Sequence, residues 1–92
     1  MHTNPNGIEF DPDKAAANLR KHGVSFTDAA TVLNDPEALI MEDDSEGEAR
    51  YLAVGMDASG RVLTVVYTVR GAHIRLISAR RATAKERAAY AQ

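Results

Sequence analysis

The sequence predicts an α+β domain: an antiparallel β-meander of about four strands plus a short amino-terminal strand, two helices near the amino end and one short helix at the carboxyl end. Three observations predict it. Residues 62–69 are almost entirely β-branched or aromatic, the composition of a buried strand. Four-residue turns, Asp57-Ala58-Ser59-Gly60 and Arg70-Gly71-Ala72-His73, separate consecutive strand-like runs, as in a meander. Helix start and stop signals gather at the two chain ends instead of alternating with the strands. With 92 residues, one domain is expected, over residues 8–92, with 1–7 as a flexible amino terminus.

Each element follows from its residues. Ile8-Glu9-Phe10 alternates apolar and polar, the pattern of a short strand. Asp11-Pro12 opens a helix, with an acidic N-cap before Pro at the first helical position; His22-Gly23 closes it with a cationic last turn and a C-cap glycine. Ser25 restarts the chain, and Phe26, Ala29, Ala30 and Leu33 at i, i+3, i+4 and i+7 predict an amphipathic helix of about ten residues, ended by Asn34-Asp35-Pro36. Residues 38–41 read as a strand, 42–48 as an acidic turn, and 50–56 as the next strand. Residues 62–69 and 74–80 complete the meander. Thr83-Ala84-Lys85-Glu86 fits a capping box, so a short helix follows through Tyr90.

Composition excludes several classes. Without cysteine there is no disulfide scaffold, zinc ribbon or thiol nucleophile. No apolar run approaches the roughly 18 residues of a membrane span, and Met1 to Gly7 lack the apolar stretch of a signal peptide, which points to the cytoplasm. HExxH, Walker A, GxGxxG and GxSxG motifs are absent, and the acidic run 42–48 lacks the register of a calcium-binding EF-hand loop. No metal site and no cofactor are expected.

The net charge of −2 hides a division. Residues 1–60 carry four basic against twelve acidic side chains, a sum of −8; residues 61–92 carry seven basic against one acidic, a sum of +6. Six of those seven are Arg, whose guanidinium suits bidentate phosphate contacts. The asymmetry suggests a polyanionic partner for the basic part; acid–arginine pairing within the fold is the plain alternative.

Candidate residues follow. Strand alternation places Arg80 on the face of Ile74 and Leu76, where it must either pair with a carboxylate or face a cleft. Arg70 lies at the other end of that hairpin, close to His73. His22 is either a helix-dipole partner or a titratable group near neutral pH, with Lys21 beside it. Lys14, Asn18 and Lys21 lie along one polar stripe, solvated or phosphate-facing.

Together these residues resemble the BrnT toxins. Ile8 to Lys14, then Asn18 to Phe26, look like the amino-terminal signature of that family. Gly47-Glu48-Ala49-Arg50-Tyr51 resembles its central motif, and Val65 to Thr68, Arg75 to Ala82, Glu86-Arg87 and Tyr90 its carboxy-terminal one. The resemblance covers nearly all of residues 8–90. The family often has Trp before the first Asp, where this chain has Phe10.

The resemblance implies a RelE-like fold and the toxin of a type II toxin–antitoxin system. It also implies a metal-independent endoribonuclease that cuts RNA and inhibits translation. The implied partner is a BrnA-like ribbon–helix–helix antitoxin, in a hetero-oligomer that reaches DNA only through the antitoxin. On that reading the expected catalytic residues are Arg80 and Arg70, then Arg81, His22 and Lys21, and last Tyr90 and Glu86, which also have structural roles in the capping box and helix packing. Lys14, Asn18, Arg75, Lys85 and Arg87 are expected to bind RNA. A competing class is a non-catalytic RNA- or ribosome-binding module, or a co-repressor subunit. The acidic residues 35–48 are expected to oppose basic residues of an antitoxin or to repel RNA from the wrong face.

Overall fold

Asp11 begins the first long helix as its residue type predicts. Its carboxylate accepts the Asp13 N–H at 2.9 Å, Pro12 stands in the first turn, and the helix α1 runs Pro12–His22. Gly23 ends it in the left-handed conformation (φ 69°), donating its N–H to Leu19 O at 2.9 Å. Ser25 caps α2 (Phe26–Val32) by accepting the Asp28 N–H. This helix has seven residues, shorter than the expected ten, because Leu33, Asn34 and Asp35 close tight i→i+3 turns instead of continuing it.

The computed structural model describes residues 2–3, 7–44 and 47–92; for His2 it describes the backbone alone. Six strands form one sheet, in the order β1-β2-β6-β5-β4-β3. They are β1 (His2–Thr3), β2 (Ile8–Phe10), β3 (Leu39–Asp43), β4 (Arg50–Met56), β5 (Val62–Arg70) and β6 (His73–Arg81). The last helix, α3 (Ala84–Tyr90), carries the predicted capping box between Thr83 and Glu86. Among the described residues, no helix is long and apolar enough to cross a membrane.

Strands β3 to β6 are the expected meander. Three differences stand out. β2 pairs with β6 in parallel, Ile8 opposite Ile74 and Glu9 opposite Arg75, so the sheet is mixed. Residues 2 and 3, expected in a flexible terminus, pair antiparallel with β2 and cover its outer edge; residues 1 and 4–6 of that terminus lie outside the described residues. Third, β3 runs two residues into the acidic segment, with Glu42 opposite Tyr51 and Asp43 opposite Arg50. Residues 45 and 46 of that segment also lie outside the description.

The core lies between the sheet and the first two helices. Phe26, Val24 and Val32 from the helical part meet Leu63, Val65 and Ala53 from β4 and β5, and Leu76 and Ala79 from β6. Phe10 meets Phe26 edge to face with centroids 5.5 Å apart, and Tyr51 stacks on Tyr67 at the same distance. Burying each large apolar side chain here contributes about 1.5–3 kcal/mol.

A β-bulge in β6 then turns its second half over. Val66 opposes Ser78, but Tyr67 opposes Leu76, so Ile77 has no partner of its own. Both Leu76 and Ala79 therefore reach the core, three positions apart. Simple alternation put Arg80 on the face of Leu76. The bulge corrects this: Arg80 lies on the opposite face, beside its register partner Thr64 and under α3.

Candidate functional site

Antiparallel register gathers the first group of polar residues. Tyr51 pairs with Tyr67, so Arg50 and Thr68 stand one step further along the same two strands; Thr68 in turn pairs with Arg75 on β6. Arg70 pairs with His73 across the two-residue turn Gly71-Ala72. Lys14 arrives from α1 and Glu48 from the loop before β4. With Ile77, the side chains of Lys14, Glu48, Arg50, Thr68, Arg70 and Arg75 line a cavity of about 120 Å³.

Charge in this cavity is mostly positive. Arg75 is anchored by Glu9, with Nε 3.2 Å from Oε1, and His73 Nδ1 lies 3.7 Å from the other oxygen of Glu9. Arg70 meets Glu48 at 3.4 Å, and both side chains are about half exposed. Two buried polar atoms, Thr68 Oγ1 and Arg50 Nε, have no hydrogen-bond partner among the described residues. Leaving such a group unpaired costs about 1–3 kcal/mol. An acceptor-rich anion entering the cavity supplies the missing partners.

A second hollow of about 230 Å³ adjoins the first. Lys14, Asn18, Lys21 and His22 line it with Ala17, Ile77 and Ser78, and Lys14 and Ile77 border both hollows. The bulge at Ile77 thus lies where the two join. The result is one groove with Lys14, Lys21, His22, Arg50, Arg70 and Arg75 along it, and Glu48 as the acidic side chain in its lining. Among the described residues, no group of three His, Asp or Glu side chains is placed to hold a metal ion.

Asn18, expected on the polar stripe with Lys14 and Lys21, is buried. It donates to Val24 O and Ala79 O, each at 2.9 Å, and accepts the Ala79 N–H at 3.0 Å. One amide thus ties α1 to the edge of β6 beyond the reach of β2, and its hydrogen bonds go to backbone groups. This corrects the expectation of a solvated stripe position: its polar atoms are committed to the backbone, and it borders the second hollow from below the surface.

The remaining expected residues sit elsewhere. Arg80 donates to Glu86 Oε1 at 2.8 Å and to Oε2 at 3.1 Å, and Thr64 Oγ1 and the Thr83 N–H also donate to Oε1. The Arg80 guanidinium holds the Glu86 carboxyl down at about 2, and Glu86 in turn raises Arg80. Of the two fates open to Arg80, the structure shows carboxylate pairing. Arg87 donates to Ala82 O at 2.7 Å; Arg81 and Lys85 are exposed. Tyr90 donates to Asp35 Oδ2 at 2.6 Å, which raises the phenol. Asp35 is lowered, first by the Met56 N–H and then by Tyr90. Arg70, Arg75, Lys14, Lys21 and His22 are thus brought together, while Arg80, Arg81, Glu86, Arg87, Lys85 and Tyr90 are not.

Sequence reasoning named no role for Arg50, Thr68 or Glu48. All three stand in segments that carried the family resemblance, Glu48 and Arg50 in Gly47 to Tyr51 and Thr68 at the end of Val65 to Thr68, and this was the available signal. Thr68 looked like one more β-branched strand residue.

Comparison with known proteins bears on the family and the fold. No curated protein sequence matches the chain. Residues 10–86 match the family described as the ribonuclease toxin BrnT of type II toxin–antitoxin systems. The crystal structure of the Brucella abortus ribonuclease toxin BrnT is similar, with 25% sequence identity and a TM-score of 0.67, over 83% of this chain and 95% of that one. A family match over most of the chain and a shared fold lead to one conclusion: this chain belongs to the BrnT ribonuclease toxins of type II toxin–antitoxin systems.

Proposed function

We propose that the chain is a metal-independent endoribonuclease that cuts RNA in the groove between α1 and the β5–β6 hairpin, inhibits translation, and is neutralised by a BrnA-like antitoxin. The observation that carries the site is the pair of unpartnered buried groups, Thr68 Oγ1 and Arg50 Nε, in a cavity ringed by Arg70, Arg75 and Lys14. A phosphodiester has the charge and the acceptor oxygens that these groups lack.

The chemistry needs three parts. A base removes the proton of a ribose 2′-hydroxyl, and the oxygen attacks the neighbouring phosphorus. Glu48, the carboxylate in the cavity, takes that proton. Arg50, Arg70 and Arg75 stabilise the charge that builds on the phosphoryl oxygens. The leaving 5′-oxygen takes a proton from His22 on the adjoining stretch of groove; imidazole is the side chain suited to that exchange near neutrality. The products are a 2′,3′-cyclic phosphate and a 5′-hydroxyl. Lys14 and Lys21 hold the flanking phosphates.

Incubation of the purified chain with RNA in EDTA tests the proposal. Cleavage to 2′,3′-cyclic ends is expected, and Arg70→Ala slows it about 10²–10³-fold without unfolding the protein. A band shift with intact RNA overturns the catalytic reading and leaves a non-catalytic RNA-binding module.

A further inference from the structure

We propose that the outer edge of β3 is the docking site of the antitoxin, which adds there an extended segment alternating apolar and basic side chains. The inference rests on the family's having an antitoxin partner and names where on this chain it binds. Among the described residues β3 is the last strand of the sheet, and its outer backbone groups face no neighbouring strand there. All five of its residues are exposed. Three of them are consecutive large apolar side chains, Leu39, Ile40 and Met41, exposed by 36%, 53% and 45%. Because strand residues alternate, they present apolar surface on both faces of the edge. Natural sheet edges are usually blunted by charged side chains, Pro or a bulge. Here the charges stand only at the strand's end, Glu42 and Asp43, and leave the run Leu39 to Met41 without any of these. The edge is built to be covered.

The charge around it selects the occupant. Glu37 precedes the strand, Glu42 and Asp43 end it, and Asp44 follows. RNA is repelled by such a rim. A second copy of β3 brings the same four acids with it. A segment carrying Lys or Arg beside apolar residues satisfies both the acids and the apolar surface. A cavity of about 290 Å³ lies alongside, between α3 and the sheet, lined by Leu39, Met41, Leu52 and Val54, and is large enough for an apolar side chain of the incoming strand. Asp43 is paired with Arg50, so a segment running along β3 past Asp43 is directed toward Glu48 and Arg50 at the rim of the catalytic groove. Docking here thus leads the partner to the site it must silence.

Hydrogen exchange on the toxin alone and on the complex co-expressed with the antitoxin of the adjacent gene tests the inference, together with the double variant Ile40→Lys, Glu42→Lys. The amides of residues 39–43 are expected to become protected in the complex. The variant is expected to bind the antitoxin at least about tenfold more weakly, the loss of one interface anchor. It is expected to keep its thermal midpoint and its RNA cleavage in EDTA. A complex that forms with this edge unprotected, or with the variant bound as tightly as the parent chain, overturns the docking site and leaves the toxin reading intact. Failure of any complex to form overturns the antitoxin reading along with it. Protection that grows with the concentration of the toxin alone assigns the edge to self-association and overturns the inference.

Discussion

Arg80 and Glu86 are joined end to end, the guanidinium spanning both carboxylate oxygens at 2.8 and 3.1 Å across the junction of β6 and α3. Thr64 and the Thr83 N–H complete the same carboxylate. α3 has no buried residue of its own, so this ion pair at its first turn and Tyr90 on Asp35 at its last are its main polar fastenings.

Glu86→Gln is expected to lower stability by about 1–3 kcal/mol at pH 7, the cost of weakening charged hydrogen bonds at a mostly covered site. The folded carboxyl titrates at about 2 against 4.5 when free, so the stabilisation is complete above pH 4.5 and lost as pH falls toward 2. Urea unfolding at pH 7 and pH 3 checks this: the parent chain and the variant converge at the lower pH. Arg80→Ala is expected to show a similar loss of stability. A fall in RNA cleavage beyond the unfolded fraction places Arg80 in the catalytic machinery.

Thr68→Val separates folding from phosphate binding. The hydroxyl has no partner, so its replacement by an isosteric methyl leaves stability unchanged or raises it by up to about 1 kcal/mol. RNA cleavage is expected to fall about tenfold, as for the loss of one good hydrogen bond to a charged group. Arg70→Ala, at an exposed position, is expected to cost about 10²–10³ in rate with the thermal midpoint unmoved. Single-turnover cleavage and thermal melts of the two variants supply both readouts.

Asn18→Leu is expected to destabilise the fold by about 3 kcal/mol or more, since it strands the Ala79 N–H, Ala79 O and Val24 O together. Denaturant titration measures it. A variant that folds normally and loses only RNA affinity contradicts the structural role.

Gly55→Ala probes the closest approach of α2 to the sheet. A Cβ there lies 3.0 Å from Ala38 Cβ, 3.1 Å from Val32 Cγ1 and 3.1 Å from Asp35 Oδ2. Overpacking of this kind costs about 1–3 kcal/mol. The displaced carboxylate also serves Met56 and Tyr90, so α3 is expected to fray, read as a loss of amide protection over residues 84–90.

Local chemistry made much of the fold legible in the residues themselves. Asp11 and Gly23 bound α1, Ser25 starts α2, and Thr83 with Glu86 starts α3, because each signal acts within one helical turn. The bulge at Ile77 left no such mark, and alternation therefore placed Arg80 on the wrong face. The parallel seat of β2 beside β6 joins residues 66 apart, as Ile8 and Ile74 show, which no local pattern encodes. The candidate groove divided in the same way. Arg70, Arg75 and Lys14 were visible as unassigned cations. Thr68 was not, because its hydroxyl matters only once the register has buried it without a partner.

The unpaired residue in β6 acts as a phase shifter between two functions. Upstream of it the strand presents Arg75 to the groove; downstream it turns Ala79 inward to be clasped by Asn18 and sends Arg80 out to α3. Were Ile77 to take an ordinary place in the ladder, strict alternation from Leu76 would exchange the inward alanine for the Arg80 guanidinium, which the interior has no means to neutralise. A single insertion thus lets one strand serve the groove at one end and brace a helix at the other.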